Sequence, residues 1–288
     1  MLARNQIQLM MATPQEVKTM DDKSLLSIFQ PEGKQSFYSP ALLGPSTIAA
    51  CATSTETMQA IRAVLDKLDP DDYVDYLKLY FDEGRQRFGP HWKLLEIMNV
   101  LYASAMLIQP RRYMEIGVRR GRSLAMVLAA CPDVEAVGFD MWMENYAGME
   151  NPGPAFVQQE MQKISSAAKI QLIDGNSHET VPQFLAANPD AMFDLITVDG
   201  DHSEKGALQD LRDVLPRLSV GGAIVFDDIS HPAHPYLIKT WRKAVAEDGC
   251  LAPYEFTELG YGIAFAMRQY SPQSEQIKRK SLRGRLFG

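Results

Sequence analysis

The chain has 288 residues, 46% hydrophobic and 23% charged, a balance that suits a folded globular protein rather than a low-complexity one. Its formal net charge of −7 and pI near 5.3 argue against non-specific binding to nucleic acid or to anionic membranes, both of which reward basic surfaces. Cys51, Cys131 and Cys250 are scattered without CxxC spacing, so neither a disulfide framework nor a zinc site is expected. With no signal-like apolar core in the first 17 residues and no run approaching about 18 apolar residues, the expected location is cytoplasmic.

In chain order, residues 1–45 read as an irregular arm broken by Pro14, Pro31, Pro40 and Pro45, with a short helix near "DDKSLLSIF". From 46 to 84, apolar residues at three- and four-residue spacing predict amphipathic helices, and "HWKLLEIMNVLYASAML" (91–107) predicts another before Pro110. Beyond Pro110, short β-rich runs alternate with helical ones. The strands are expected at 112–116, 135–139, 169–173, 193–198 and 222–226, followed by "YEFTEL" and "YGIAFAM" around Gly260 as a closing hairpin. Such alternation specifies an α/β fold: a Rossmann-like, doubly wound seven-stranded sheet, parallel with an antiparallel C-terminal hairpin, plus an N-terminal helical extension. The division this predicts is 1–90 as an arm and helices serving as lid or oligomer interface, 91–268 as the catalytic domain, and 269–288 as a tail. From Arg268 onward six bases face one acid, Glu275, leaving the rest of the chain at −12. The tail reads either as a solvated end or as an anion-binding or docking segment.

In an open doubly wound sheet, ligands sit outside the carboxyl ends of the strands. The segments that follow the five parallel strands are "EIGVRRGRS", "FDMW", "IDGNSHE", "VDGDHSE" and "FDDISHP", and they hold His178, His202, His231 and His234, four of the five histidines. Glu115 to Ser123 is a strand, a glycine turn with Gly117 and Gly121, and a helix start, where close backbone approach and free N–H groups favour a polar ligand. Asp140 ends the next strand 23 residues after Gly117, where a carboxylate can accept both hydroxyls of a ribose. In this order the two features point to an adenosine-type cofactor. Asp199, Asp201, Asp227 and Asp228 gather at two strand tips, and like charges so placed call for a cation or a catalytic task. Trp142 and Tyr146 are either stacking residues or packing under a long loop, and Arg119, Arg120 and Arg122 are either surface charges or contacts to an anion.

These segments, over about 113–267, resemble the class I S-adenosylmethionine-dependent methyltransferases, and more narrowly the metal-dependent O-methyltransferases related to macrolide-sugar and rhamnosyl O-methyltransferases and to the cephalosporin hydroxylase group. The resemblance implies an Mg²⁺-dependent O-methyltransferase acting on a hydroxyl of a small molecule, a sugar or glycosylated metabolite, in natural product or glycan modification. It implies cofactor contacts from Glu115, Gly117, Gly121, Ser123, Asp140, Met141, Trp142, Gly175, Asn176, Ser177 and Asp199. Glu115 and Gly117 would serve the methionine end, Asp140 the ribose, and the 175–177 turn the adenine. It implies Mg²⁺ ligation by Asp199, Asp227 and Asp228, hard oxygen donors of the kind this ion prefers. His202, three positions after Asp199, is expected as general base, with Asp201 as the competing base or a helix cap. Oligomers are common among such enzymes, so a homo-oligomer is expected. Two other readings stand: an oxidoreductase or hydroxylase component on the same sheet, opposed by the missing GxGxxG, and a non-catalytic S-adenosylmethionine-binding protein, opposed by the cost of a carboxylate cluster without a ligand.

Overall fold

The computed structural model describes residues 41–145, 148 and 150–270; the short helix expected near 21–29, Tyr146 and nearly all of the basic tail lie outside these. Three helices come first: α1 (Pro45–Ala52), α2 (Thr55–Leu65) and α3 (Asp72–Phe88). Ser54 caps α2 by accepting the Thr57 N–H, and Asp71 caps α3 by accepting the Val74 N–H at 2.7 Å, each satisfying a free N-terminal donor. The next helix, α4 (Ile97–Ile108), begins later than the apolar spacing predicts. Trp92 leaves the helical path to fill the notch at Gly84, where a Cβ would overlap its ring. Glu96 then caps α4, its Oε1 accepting the N–H groups of Met98 and Asn99 while the Asn99 side chain takes the Glu96 N–H.

The remaining elements alternate: β1 (Arg112–Ile116), α5 (Arg122–Ala130), β2 (Glu135–Asp140), α6 (Pro154–Ile164), β3 (Lys169–Asp174), α7 (Ser177–Ala187), β4 (Phe193–Val198), α8 (Glu204–Val214), β5 (Leu218–Asp227), α9 (Leu237–Asp248), β6 (Leu251–Phe256) and β7 (Ile263–Arg268). They form one seven-stranded sheet in the order β3-β2-β1-β4-β5-β7-β6. β1 to β5 are mutually parallel, while β7 runs antiparallel between β5 and β6. β5 starts four residues before the predicted 222, because a register shift against β4 lets Gly221, at φ +80°, and Gly222 carry the strand past the carbonyl of Asp194. β6 starts earlier than "YEFTEL" and admits Pro253 because it is an edge strand.

Successive residues of the central strands feed two cores. Tyr113, Leu195 and Val225 face a layer made by α1 to α6, whereas Met114, Ile196 and Ile224 face α7, α8 and α9. The helices of 45–88 therefore share one core with the sheet: Ile48, Ile61, Leu65 and Val74 are buried in the same cluster as Phe265 and Met267. α3 is also pinned by charge, since Asp71 pairs with both Arg120 and Arg122 at 3.0 Å. Among the described residues no helix is long and apolar enough to cross a membrane.

Candidate functional site

β1 is the point where strand order reverses, its neighbours being β2 and β4, and a cavity of about 810 Å³ opens at the carboxyl ends of these strands. That volume lies in the range of about 300–1,000 Å³ usual for small-molecule sites. Among the sequence-selected residues it is lined by Gly117, Ser123, Asp140, Met141, Gly175, Asn176, Ser177, Asp199, Asp201, His202, Asp227 and Asp228. Gly117 adopts φ +90° and packs against the Asp199 carbonyl, where a Cβ would overlap, which draws the tips of β1 and β4 together. Asp140 accepts the Arg119 N–H at 2.7 Å on one oxygen and the Trp142 N–H at 2.6 Å on the other. The carboxylate thus fastens the turn after β1 to the turn after β2, and its remaining lone pairs stay open to a ligand.

Glu115, Gly121 and Trp142 do not line the cavity; they support it. Glu115 is buried and bonded by the Ser123 hydroxyl, and burial, with the charge of Asp199 adding, pushes its pKa up to about 8. Gly121, at φ +79°, starts α5 against Val157 and Met161. Trp142 is buried, its indole N–H donating to the Arg119 carbonyl at 3.0 Å. At the far side, Asn176 caps α7 and the Ser177 hydroxyl donates to the buried Asp210 at 2.9 Å. His178 lies 3.6 Å from Asp210 and 3.7 Å from Asp201.

The acidic cluster forms where β4 and β5 end. Asp228 occupies φ +62°, a left-handed conformation costly for a non-glycine residue, in the turn that follows β5. The His202 Nε2 stands 3.4 Å from Asp199 Oδ1 and 3.4 Å from Asp228 Oδ2. One ligand atom each from Asp199, His202 and Asp228 fall within 4.8 Å of one another. Asp227 shares the cavity but lies outside that converging set. Burial raises the Asp227 pKa well above the carboxylate range, and Asp199, Asp228 and Glu96 push the same way. Burial and Asp199 raise Asp228 to about 7, opposed by His202. For His202, burial works downward, but its pairing with Asp199 and the charges of Asp228 and Asp201 outweigh it, leaving a raised pKa. Two aspartate oxygens, crowded by their own negative charge, fit a divalent cation, and the imidazole nitrogen beside them offers either a further donor or a base. Asp201 turns aside: one oxygen accepts the Ser203 N–H at 2.7 Å, and its carboxyl packs on Gly206, while Ser203 itself caps α8.

An aromatic and imidazole stack walls the site beside this cluster. His202 and His234 lie nearly parallel at 5.2 Å between ring centroids, His231 follows at 5.0 Å from His234, and Tyr261 closes on His231 at 4.2 Å. Tyr236 locks the stack by donating to the His202 carbonyl at 2.8 Å. The helical layer contributes Tyr73, Leu77 and Glu96 to the cavity, none of which the sequence singles out. Burial raises Glu96 to about 7 despite its two amide donors and Arg122. Its position three residues before Asn99 is the one local signal, and the continuous apolar spacing of 91–107 obscures it.

A family model described as a methyltransferase domain matches residues 114–229, from β1 through the turn after β5. Similar solved structures include the calicheamicin methyltransferase CalS11, at 21% identity over 74% of this chain and 91% of that one, TM-score 0.46. Others are SAH-bound PaMTH1 from Podospora anserina (20%, 75% and 97%, TM-score 0.46) and the O-methyltransferase TomG from Streptomyces achromogenes, solved with SAM (17%, 70% and 92%, TM-score 0.48). No curated protein matches the chain.

Proposed function

Starting from a methyltransferase domain at residues 114–229, we propose that the chain transfers a methyl group from S-adenosylmethionine to a hydroxyl of a small molecule, a sugar or glycosylated metabolite, with the aid of a bound divalent cation, Mg²⁺ in the first instance. The observation that carries this reading is the convergence of Asp199, His202 and Asp228 in the same cavity as the glycine turn and Asp140. S-adenosylmethionine when bound supplies a methyl group already activated by its sulfonium, and a divalent cation when bound lowers the pKa of an adjoining hydroxyl.

The chain's own residues do the rest. Asp140 receives the ribose hydroxyls, and the turn at Gly175, Asn176 and Ser177 flanks the base. Asp199 and Asp228 would hold the cation, with the buried Asp227 beside them. His202, whose Nε2 stands 3.4 Å from both Asp199 and Asp228, accepts the acceptor's proton on its imidazole. The rings of His234, His231 and Tyr261 offer apolar faces against which an acceptor ring can lie, which would contribute to its alignment.

Calorimetric titration tests the reading. S-adenosylmethionine should bind protein freed of metal, and sugar or aryl hydroxyl acceptors should bind only once Mg²⁺ or Mn²⁺ is added. Absence of cofactor binding would overturn the assignment of the glycine turn and Asp140, and acceptor binding indifferent to the cation would overturn the role of the aspartates.

A further inference from the structure

Three arginines line the cavity, and their situations differ. Arg120 pairs with Asp71 at 3.0 Å and Glu150 at 3.0 Å, and its guanidinium lies over the Phe156 ring. Arg122 pairs with Asp71 at 3.0 Å and lies over Tyr73. Arg119 has neither: its Nε and Nη2 are buried with no hydrogen-bond partner, and no described carboxylate lies within 4 Å of it. Its backbone is fixed on both sides, by the N–H given to Asp140 and the carbonyl taken by the Trp142 indole, at φ +51°, so the side chain springs from a strained, held position. Two buried guanidinium N–H groups without acceptors are costly, and six carboxylates around the same cavity leave an incoming anion few other places to lie.

We propose that Arg119 is the carboxylate-binding residue of the cavity, taking the α-carboxylate of the cofactor's amino-acid end in a charge-assisted, forked hydrogen bond. The inference rests on S-adenosylmethionine as the methyl donor. That carboxylate is the cofactor's one anionic group, and the turn from Gly117 to Gly121 places Arg119 next to Asp140, the residue assigned to the ribose. Guanidinium geometry matches a carboxylate with two parallel N–H donors, which neither a hydroxyl nor the cation cluster could supply.

The test compares two ligands on the whole chain by calorimetry: S-adenosylhomocysteine, and S-adenosyl-3-thiopropylamine, which keeps the nucleoside, sulfur and amine but lacks the carboxylate. Arg119→Gln should weaken S-adenosylhomocysteine about tenfold or more while changing the decarboxylated ligand by less than about twofold. Arg119→Lys should recover part of the loss. Equal weakening of both ligands, or no change for either, would overturn the proposal, and unaltered melting of the variants shows that the fold persists. If the unsubstituted protein binds neither ligand, it is the donor assignment that fails. An unchanged S-adenosylhomocysteine affinity together with a raised KM confined to anionic acceptors overturns the cofactor assignment and moves the guanidinium to the acceptor.

Discussion

The α-carbon of Gly117 lies against the carbonyl of Asp199, so close that a Cβ on residue 117 would overlap the oxygen. Two strand tips that line the same cavity are thereby held at contact distance, the glycine turn on one side and a carboxylate of the acidic cluster on the other. Gly117→Ala adds both this overlap and the cost of φ +90° for a residue with a side chain. It should destabilise the fold by about 2 kcal/mol or more. Chemical denaturation measures the loss, and cofactor affinity should fall with it because Asp199 must retreat.

The three strand-tip aspartates should not be equivalent. Asp199→Asn and Asp228→Asn each remove a negative charge from the converging set, so binding of Mn²⁺, followed by its paramagnetic resonance signal, should weaken about tenfold or more. Asp227→Asn should weaken it less. Equal losses in all three variants would return Asp227 to the ligand set that the sequence resemblance implies.

His202 separates base from ligand. His202→Ala should lower kcat by about 10²–10⁴-fold and abolish the rise of rate through its titration, with Mn²⁺ affinity nearly unchanged. A parallel loss of Mn²⁺ affinity would instead make its Nε2, 3.4 Å from two aspartate oxygens, a coordinating atom.

Glu115 links stability to pH. Its pKa is about 8 in the folded protein against an unfolded value near the ordinary glutamate, so between about pH 4.5 and 8 the folded state carries the extra proton. Stability from this group is complete below about pH 4.5 and is lost as pH rises through 8. Glu115→Gln keeps an acceptor for the Ser123 hydroxyl and cannot ionise. Its stability relative to the unsubstituted protein should therefore rise between pH 5 and pH 8, by an amount on the order of a few kcal/mol, measured by urea denaturation at each pH without added metal.

Much of the sheet is legible from sequence because parallel strands buried on both faces read as short apolar runs between glycine and aspartate. β1 and β4 coincide with the expected spans, 112–116 and 193–198. The clustering of the strand-end polar segments, with all four of their histidines on one cavity, follows from the same topology. What escapes is set by tertiary packing. The late start of α4 depends on Trp92 seating at Gly84, a contact that apolar spacing does not encode, and on a glutamate cap that the same spacing hides. Likewise, nothing in "VRRGRS" tells the three arginines apart; only the fold brings Asp71 to two of them and leaves Nε and Nη2 of the third without an acceptor among the described residues.

Asp71 serves three donors at once: the first turn of α3, Arg120 and Arg122. Because the two arginines flank the turn that begins α5, one carboxylate ties the start of α3 to that turn. A ligand that clamps the turn would quiet α3 from a distance, and fraying of α3 would loosen the grip on the ligand by the same free energy.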